Sequence, residues 1–139
     1  LDASLALGIN TLVVDPHTDT VYAGTTKGLF KSTDGGERWD RIAAEALTDQ
    51  YVSSLILDEA GTLFAGGRAG IQTSTDGGVT WRSINDGLDS LNIRTLALSA
   101  TRGRIYAGTN GSGLYRSDDR GEHWTAIPLT LKPSAPSTT

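Results

Sequence analysis

Residues 32–39 read STDGGERW, and the chain writes this octet two more times. Residues 74–81 read STDGGVTW and residues 117–124 read SDDRGEHW. The copies share the pattern S-x-D-x-G-x-x-W and begin at residues 32, 74 and 117, which gives steps of 42 and 43 residues. A repeat of this period indicates stacked structural units of one kind.

The residue types of the octet are those of a tight turn between two strands. The Asp carboxylate can accept the backbone N–H groups that follow it, the Ser hydroxyl can do the same more weakly, and Gly tolerates a positive φ. The Trp then begins the next strand with a ring that packs over the turn and an indole N–H that needs an acceptor. All three tryptophans of the chain occupy this position.

We interpret the octets as structural, because a catalytic Asp in every copy would require three active sites. The twelve predicted structural positions are Ser32, Asp34, Gly36, Trp39, Ser74, Asp76, Gly78, Trp81, Ser117, Asp119, Gly121 and Trp124.

The octets closely resemble the Asp-box, or BNR, repeat of sialidases, sortilin-like receptors, xyloglucan-degrading glycoside hydrolases and photosystem II stability/assembly-factor-like proteins. The resemblance covers three repeats and nearly the whole chain apart from its tail. It is greatest to the assembly-factor-like branch, because the repeats carry no long inserted loops. It implies a β-propeller in which each box joins the third and fourth strands of a blade, and it favours an extracellular or periplasmic location. Fold alone does not determine chemistry.

Each repeat contains four segments with strand character. In the first repeat, residues 9–15 form an apolar stretch suited to a buried inner strand, and residues 20–25, 29–32 and 39–42 follow it. The second and third repeats copy this arrangement, and all three share an aromatic-Ala-Gly sequence that begins at Tyr22, Phe64 and Tyr106. The sequence therefore predicts an all-β chain of three β-propeller blades, each a four-stranded antiparallel meander.

The period also predicts the boundaries of the blades. Blade 1 with a leading connector takes residues 1–46, blade 2 takes 47–88, blade 3 takes 89–128, and a flexible tail takes 129–139. Three of the four prolines follow Ile127, a composition typical of mobile segments. Because propellers close with roughly four to eight blades, we expect either a partial propeller or half of a six-bladed ring made by two copies.

Composition excludes several classes of function. Twelve basic against sixteen acidic residues give a net charge of −4, which argues against a nucleic-acid partner. No apolar run approaches the about 18 residues of a membrane span. The absence of cysteine excludes thiolate metal sites, and His17 and His123 lack the spacing of metal ligands. We predict no metal site and no cofactor.

Two sets of loops fall at one end of the predicted blades, namely those between the second and third strands and those between blades. Loops held by a rigid scaffold are where binding residues concentrate. Lys27, Arg68 and Arg94 would place positive charge on this face, which suits a carboxylate, a sulfate or an acidic peptide. Asn110 and Tyr51 complete the candidate ligand face. Other polar residues of these loops are Asn10, Asp49, Gln50, Ser53, Asn85, Asp86, Asp89 and Asn92.

Two functions compete for this face. We favour a non-catalytic scaffold for binding or assembly that holds a protein, a peptide or a small acidic ligand. The alternative is part of a glycoside hydrolase of xyloglucanase or sialidase type, in which Asp49 with Asp86 or Asp89 would supply the two carboxylates. Tyr51 would then stack on a sugar. The arginine-containing motif that precedes the boxes of sialidases is not visible.

The expected partners follow from these alternatives. They are a protein or peptide ligand, with carbohydrate under the hydrolase alternative, and either a second copy of the chain or the remaining blades of a longer propeller.

Overall fold

Three separate antiparallel sheets make up the part of the chain that this computed structural model describes, residues 7–42, 51–99 and 102–129. Their strands are β1 (Ile9–Val14), β2 (Val21–Thr25), β3 (Gly28–Ser32), β4 (Asp40–Ile42), β5 (Val52–Leu57), β6 (Leu63–Gly67), β7 (Gly70–Ser74), β8 (Arg82–Ser83), β9 (Ile93–Ser99), β10 (Arg104–Thr109), β11 (Leu114–Ser117) and β12 (Thr125–Ile127).

Each sheet is a four-stranded meander in sequence order, with β1–β4 in blade 1, β5–β8 in blade 2 and β9–β12 in blade 3. All pairings are antiparallel. The all-β fold and the four-stranded propeller blades are therefore as predicted. The predicted boundary at residues 46–47 and the tail beyond Leu129 lie outside the described residues.

Close packing against the next blade requires glycine in the second strands of blades 1 and 2. A Cβ added to Gly24 would lie 2.6 Å from Val52 Cγ1, and one added to Gly66 would lie 2.8 Å from Ile93 Cγ2. Both contacts are shorter than any ordinary carbon–carbon contact. The second strand of one blade therefore stacks directly against the inner strand of the next blade.

Hydrophobic residues from neighbouring blades form two core clusters. The cluster between blades 1 and 2 contains Tyr22, Leu29, Val52, Leu55, Leu63 and Ala65. The cluster between blades 2 and 3 contains Phe64, Ile71, Ile84, Ile93, Leu96, Ile105, Ala107, Tyr115 and Trp124.

The inner strand of blade 1 departs from prediction, since its apolar side chains are not buried. Ile9, Leu12 and Val14 are 50%, 59% and 52% exposed, whereas Val52 and Leu55 at the equivalent positions of β5 are each 2% exposed. The second strand of the preceding blade covers β5 and β9. No described strand covers β1 in that way.

All three inner strands carry a β-bulge near their start. The register shifts between Ile9 and Thr11 in β1, between Val52 and Ser54 in β5, and at the matching position of β9. The extra residues are Asn10, Ser53 and Arg94. A bulge leaves one residue out of the ladder and redirects its side chain, so the repeat places one polar side chain of each blade at the same end.

Candidate functional site

The three Asp boxes share one hydrogen-bond network. In each box the Ser hydroxyl donates to the Asp Oδ1, at 2.9, 2.8 and 2.8 Å in chain order. The same hydroxyl accepts the N–H of the second Gly position at 2.9, 2.9 and 2.7 Å. The three serines are buried. Leaving such an N–H without an acceptor costs about 1–3 kcal/mol, so this network stabilises the turn.

The Asp carboxylates of the boxes are held in the charged form by donors from the end of each octet. The side-chain hydroxyl of Thr80, followed by its backbone N–H, lowers the pKa of Asp76 to about 2. The imidazole of His123, followed by its backbone N–H, lowers the pKa of Asp119 to about 2. The backbone N–H of Arg38 is the main cause that lowers the pKa of Asp34.

The tryptophans distinguish box three from the other two. Trp39 and Trp81 donate their indole N–H to the carbonyl of the second Gly in their own box, each at 2.9 Å. Trp124 donates instead to the Ile84 carbonyl of blade 2 at 2.8 Å and is only 4% exposed. Box three is thereby built into the interface between blades 2 and 3.

A polar pocket of about 330 Å³ lies where the three bulges meet, and we call it the bulge pocket. All three blades contribute to it, through the bulge residues, the turns after β6 and β10, and the connectors that precede β5 and β9. Its lining consists of Asn10, Tyr51, Ser53, Arg68, Asn92, Ile93, Arg94 and Asn110. The structure thus brings four of the five predicted ligand-face residues together, and none of the twelve predicted box positions lines the pocket.

The bulge pocket is positively charged. Its lining includes two guanidinium groups and no carboxylate. The Arg68 Cζ lies 4.1 Å from the centroid of the Tyr51 ring, an arrangement in which the ring holds the guanidinium plane and leaves its N–H edge available.

The three bulge residues differ in what their side chains bind. Asn10 Nδ2 donates to the Val52 carbonyl at 2.9 Å, and Ser53 Oγ donates to the Ile93 carbonyl at 2.5 Å. Each therefore joins its blade to the next one. Arg94 is exposed and makes no such bond within the described residues. Its guanidinium is available to a ligand.

Lys27 does not line the pocket, although it lies at nearly the same repeat position as Arg68. Thr26 and Lys27 form the two-residue turn between β2 and β3, and Arg68 and Ala69 form the equivalent turn between β6 and β7. Arg68 is thus the first residue of its turn and Lys27 the second. Lys27 is exposed, and its carbonyl accepts a hydrogen bond from the Arg41 guanidinium.

The acidic residues of the hydrolase hypothesis lie elsewhere. The Asp86 carboxylate is 3.6 Å from His123 Nε2, and the Asp89 carboxylate accepts the Tyr115 hydroxyl at 3.3 Å. Both face blade 3, and neither lines the bulge pocket. Asp49, the other predicted carboxylate, and Gln50 lie outside the described residues. Asn85 is also structural, because its Oδ1 accepts the Ile71 N–H at 2.7 Å.

Two features of the site were not predicted from the sequence. Ile93, which is 1% exposed, forms the apolar part of the lining. The sequence signal for Ile93 is that an apolar residue directly precedes each bulge position, as at Ile9, Val52 and Ile93. The pairing of His123 with Asp119 has no sequence signal beyond their spacing of four residues.

The described residues hold neither a metal cluster nor a membrane-spanning helix. They contain no group of three or more His, Asp or Glu side chains arranged to hold a metal ion. They also contain no helix that is long and apolar enough to cross a membrane.

Comparison with known proteins agrees with this fold. The BNR/Asp-box repeat matches residues 72–83. No curated protein matches the chain. A GH74 enzyme from Niastella koreensis is 25% identical with a TM-score of 0.71, over 88% of this chain and 23% of that chain. The GH74 xyloglucanase from Xanthomonas campestris is 21% identical with a TM-score of 0.69, over 90% of this chain and 24% of that chain.

A binding protein is similar to a comparable degree. YCF48, in a structure bound to D1 peptide, is 22% identical with a TM-score of 0.69, over 88% of this chain and 40% of that chain. The chain therefore spans about a quarter of the two GH74 proteins and two fifths of YCF48. Enzymes and a peptide-bound protein share its architecture. Its function must therefore be argued from the residues of the site rather than from the fold. The chain carries BNR/Asp-box repeats and is built from the blades of a β-propeller.

Proposed function

We propose that the chain is a non-catalytic binding module that holds an acidic protein or peptide segment in the bulge pocket. The observation that carries this proposal is the presence of Arg68 and Arg94 in a pocket of about 330 Å³ whose lining contains no carboxylate. Guanidinium donors match the geometry of a carboxylate and bind it through two parallel hydrogen bonds.

The other lining groups suit a peptide. The side-chain amides of Asn92 and Asn110 offer both donors and acceptors, which a peptide backbone requires. The stacking of Arg68 on Tyr51 reduces the entropy lost when the guanidinium is fixed by a ligand. The similarity in fold to YCF48, whose structure holds a peptide, supports the same class of ligand.

The test is the binding of a fluorescently labelled hexa-glutamate peptide with a free carboxyl terminus, followed by anisotropy. Because hydrogen bonds between charged groups contribute about 1.5–3 kcal/mol, we expect Arg68→Ala and Arg94→Ala each to weaken binding by about tenfold or more. Binding should also weaken as salt is added. The matched control is Arg38→Ala, which removes an exposed arginine from box one. Equal affinities for all three variants would contradict the proposal.

A glycoside hydrolase is the second candidate, and the similarity in fold to GH74 enzymes favours it. Asp86 and Asp89 are each turned toward partners in blade 3 rather than toward the bulge pocket. Release of reducing ends from xyloglucan by the purified chain would favour this candidate over the binding module.

We also propose that a second copy of the chain covers the open face of blade 1. Ile9 and Leu12 are about half exposed where their equivalents in blades 2 and 3 are buried. At the other end, a Cβ on Gly108 would meet only Thr95 of its own blade, whereas its equivalent Gly66 faces Ile93 of the next blade. Two such ends are complementary, and three blades plus three give six, within the roughly four to eight of closed propellers.

A further inference from the structure

A second cavity, of about 430 Å³, opens between blades 2 and 3 on the side of the Asp boxes, and we call it the blade 2–3 groove. Its floor is apolar, with Phe64 and Ile105 at 1% and 0% exposure beside the half-buried Leu98. Blade 2 contributes Asp58 and Glu59 to its rim, and box three contributes Arg120. None of these residues belongs to the bulge pocket.

Between blades 1 and 2 a smaller cavity of about 290 Å³ lies beside Pro16, Leu57 and Asp58, and a lysine side chain covers the ring of the second strand. There Lys31 Nζ lies 5.8 Å from the centroid of the Tyr22 ring and donates to the Gly77 carbonyl at 3.3 Å. Tyr22 lies opposite Lys31 on the neighbouring strand of blade 1. The equivalent pair in blade 2 is Phe64 and Thr73. Phe64 lacks the hydroxyl of Tyr22, and Thr73 is too short to replace Lys31. Blade 2 therefore has no lysine that reaches across to box three as Lys31 reaches to box two.

Box three also differs at the position that borders this groove. Gly35 and Gly77 have φ values of 75° and 73°, and Arg120 occupies the same left-handed conformation with a φ of 59°. A side chain at this φ is strained, and strained residues concentrate at functional sites. Boxes one and two have glycine at this position. The turn therefore forms without an arginine.

The charges on the two sides of the groove are of opposite sign and are not neutralised by each other. Asp58 Oδ1 already accepts the N–H groups of Ala60 and Thr62 at 3.0 and 2.9 Å, which engages it in its own turn. Within the described residues, the side chains of Glu59 and Arg120 form no ion pair or hydrogen bond. One anionic and one cationic group are therefore available above an apolar floor.

We propose that the blade 2–3 groove binds a small zwitterion with an apolar body, the chemical class of free amino acids with apolar side chains. The ligand carboxylate pairs with the Arg120 guanidinium, and its ammonium group pairs with the Glu59 carboxylate. Its apolar side chain packs on Leu98, above the buried Phe64 and Ile105. The volume of about 430 Å³ falls in the usual range of small-molecule pockets.

The test is a titration of the chain with L-leucine, followed by amide chemical shifts in NMR spectra. We expect saturable shifts at residues of the groove. Arg120→Gly restores the residue of the other two boxes and relieves the strain, so its fold should be retained. It should weaken L-leucine binding by about tenfold and leave the weaker binding of leucinamide, which lacks the carboxylate, unchanged.

The reciprocal variant is Glu59→Gln, which should weaken L-leucine binding to a similar degree but leave the binding of N-acetyl-leucine unchanged. Glu37→Gln, in exposed box one, and Arg68→Ala, in the bulge pocket, are the matched controls and should bind L-leucine as the unsubstituted chain does. An absence of saturable shifts, or the same L-leucine affinity in Arg120→Gly, would overturn the proposal. Neither outcome depends on the ligand of the bulge pocket.

Discussion

Box three contains a titratable pair that the other two boxes lack. His123 Nδ1 lies 2.6 Å from Asp119 Oδ2, and His123 Nε2 lies 3.6 Å from Asp86 Oδ2. The hydrogen bond to Asp119, followed by its charge and those of Asp86 and Glu122, raises the pKa of His123. In box two the neutral Thr80 hydroxyl donates to Asp76 Oδ2 at 2.5 Å in the same role.

We expect this pair to make stability depend on pH near neutrality. Because the folded state raises the pKa of His123, its contribution is complete below the unfolded value of about 6.5 and is lost as pH rises through the folded value. The contribution of Asp119 runs the other way and is lost as pH falls from about 4 toward its folded pKa of about 2. Urea unfolding measured between pH 5 and 9, in steps of about one pH unit, should show the loss of the stability that His123 contributes.

His123→Thr copies box two and should remove that loss while keeping a donor to Asp119. The control is His17→Thr, which replaces an exposed histidine in the turn after β1 and should keep the loss. If His123→Thr retains the full loss of stability above about pH 6.5, the pair is not its source.

At the scale of elements, the glycine of the second strand in blades 1 and 2 controls how closely the next blade stacks. A Cβ on Gly66 would lie 2.8 Å from Ile93 Cγ2 and 3.3 Å from Ile93 Cβ, and Ile93 is 1% exposed in the core between blades 2 and 3. Since Ile93 cannot move aside in that core, Gly66→Ala must shift one blade relative to the other.

We expect Gly66→Ala to lower the free energy of unfolding by about 1–3 kcal/mol, the usual cost of overpacking a core. Gly108→Ala is the matched control at the same position of blade 3. Its new methyl group meets only Thr95 Cγ2 at 2.8 Å, and Thr95 is exposed and free to rotate. Chemical unfolding of both variants at low protein concentration measures the difference. Similar losses in the two variants would show that strand geometry, rather than blade stacking, selects glycine.

At the scale of the whole molecule, the proposed ring of two copies would cover the half-exposed apolar side chains of β1. Ile9 is equivalent in register to Val52 and Ile93. Those two residues pack on Gly24 and Gly66 of the preceding blade. In a ring of two copies, Ile9 of one copy would therefore pack against Gly108 of the other. Burial of such side chains is the main favourable contribution to association.

Light scattering across a concentration series should give twice the chain mass of 14.6 kDa. Ile9→Asp places a charge in the proposed interface and should yield monomers, because burying an unpaired charge is costly. Val79→Asp is the control, since Val79 is a 76% exposed apolar residue in box two. A monomer at every concentration, or equal dimer formation by Ile9→Asp, would rule out closure by two copies.

Much of this architecture could be predicted because it depends on local chemistry repeated at a fixed period. The S-x-D-x-G-x-x-W octets predict the turn that joins the third and fourth strands, where Ser and Asp bind backbone groups only a few residues away. The same period aligns Asn10, Ser53 and Arg94 at the start of the inner strands. This alignment was enough to place them, with Arg68 and Asn110, at one end of the blades.

The remaining features depend on contacts between blades, which no local pattern encodes. The apolar sequence of β1 predicts burial, but burial requires a preceding blade to cover it. Lys27 is the second residue of its turn and Arg68 the first, so only Arg68 reaches the pocket. The connector after blade 2 places Asp86 beside His123. The sequence by itself determined the all-β repeat, its turns and the alignment of its polar residues. The tertiary structure decided which of those residues share a pocket, because stacking of separate blades sets the distances between them.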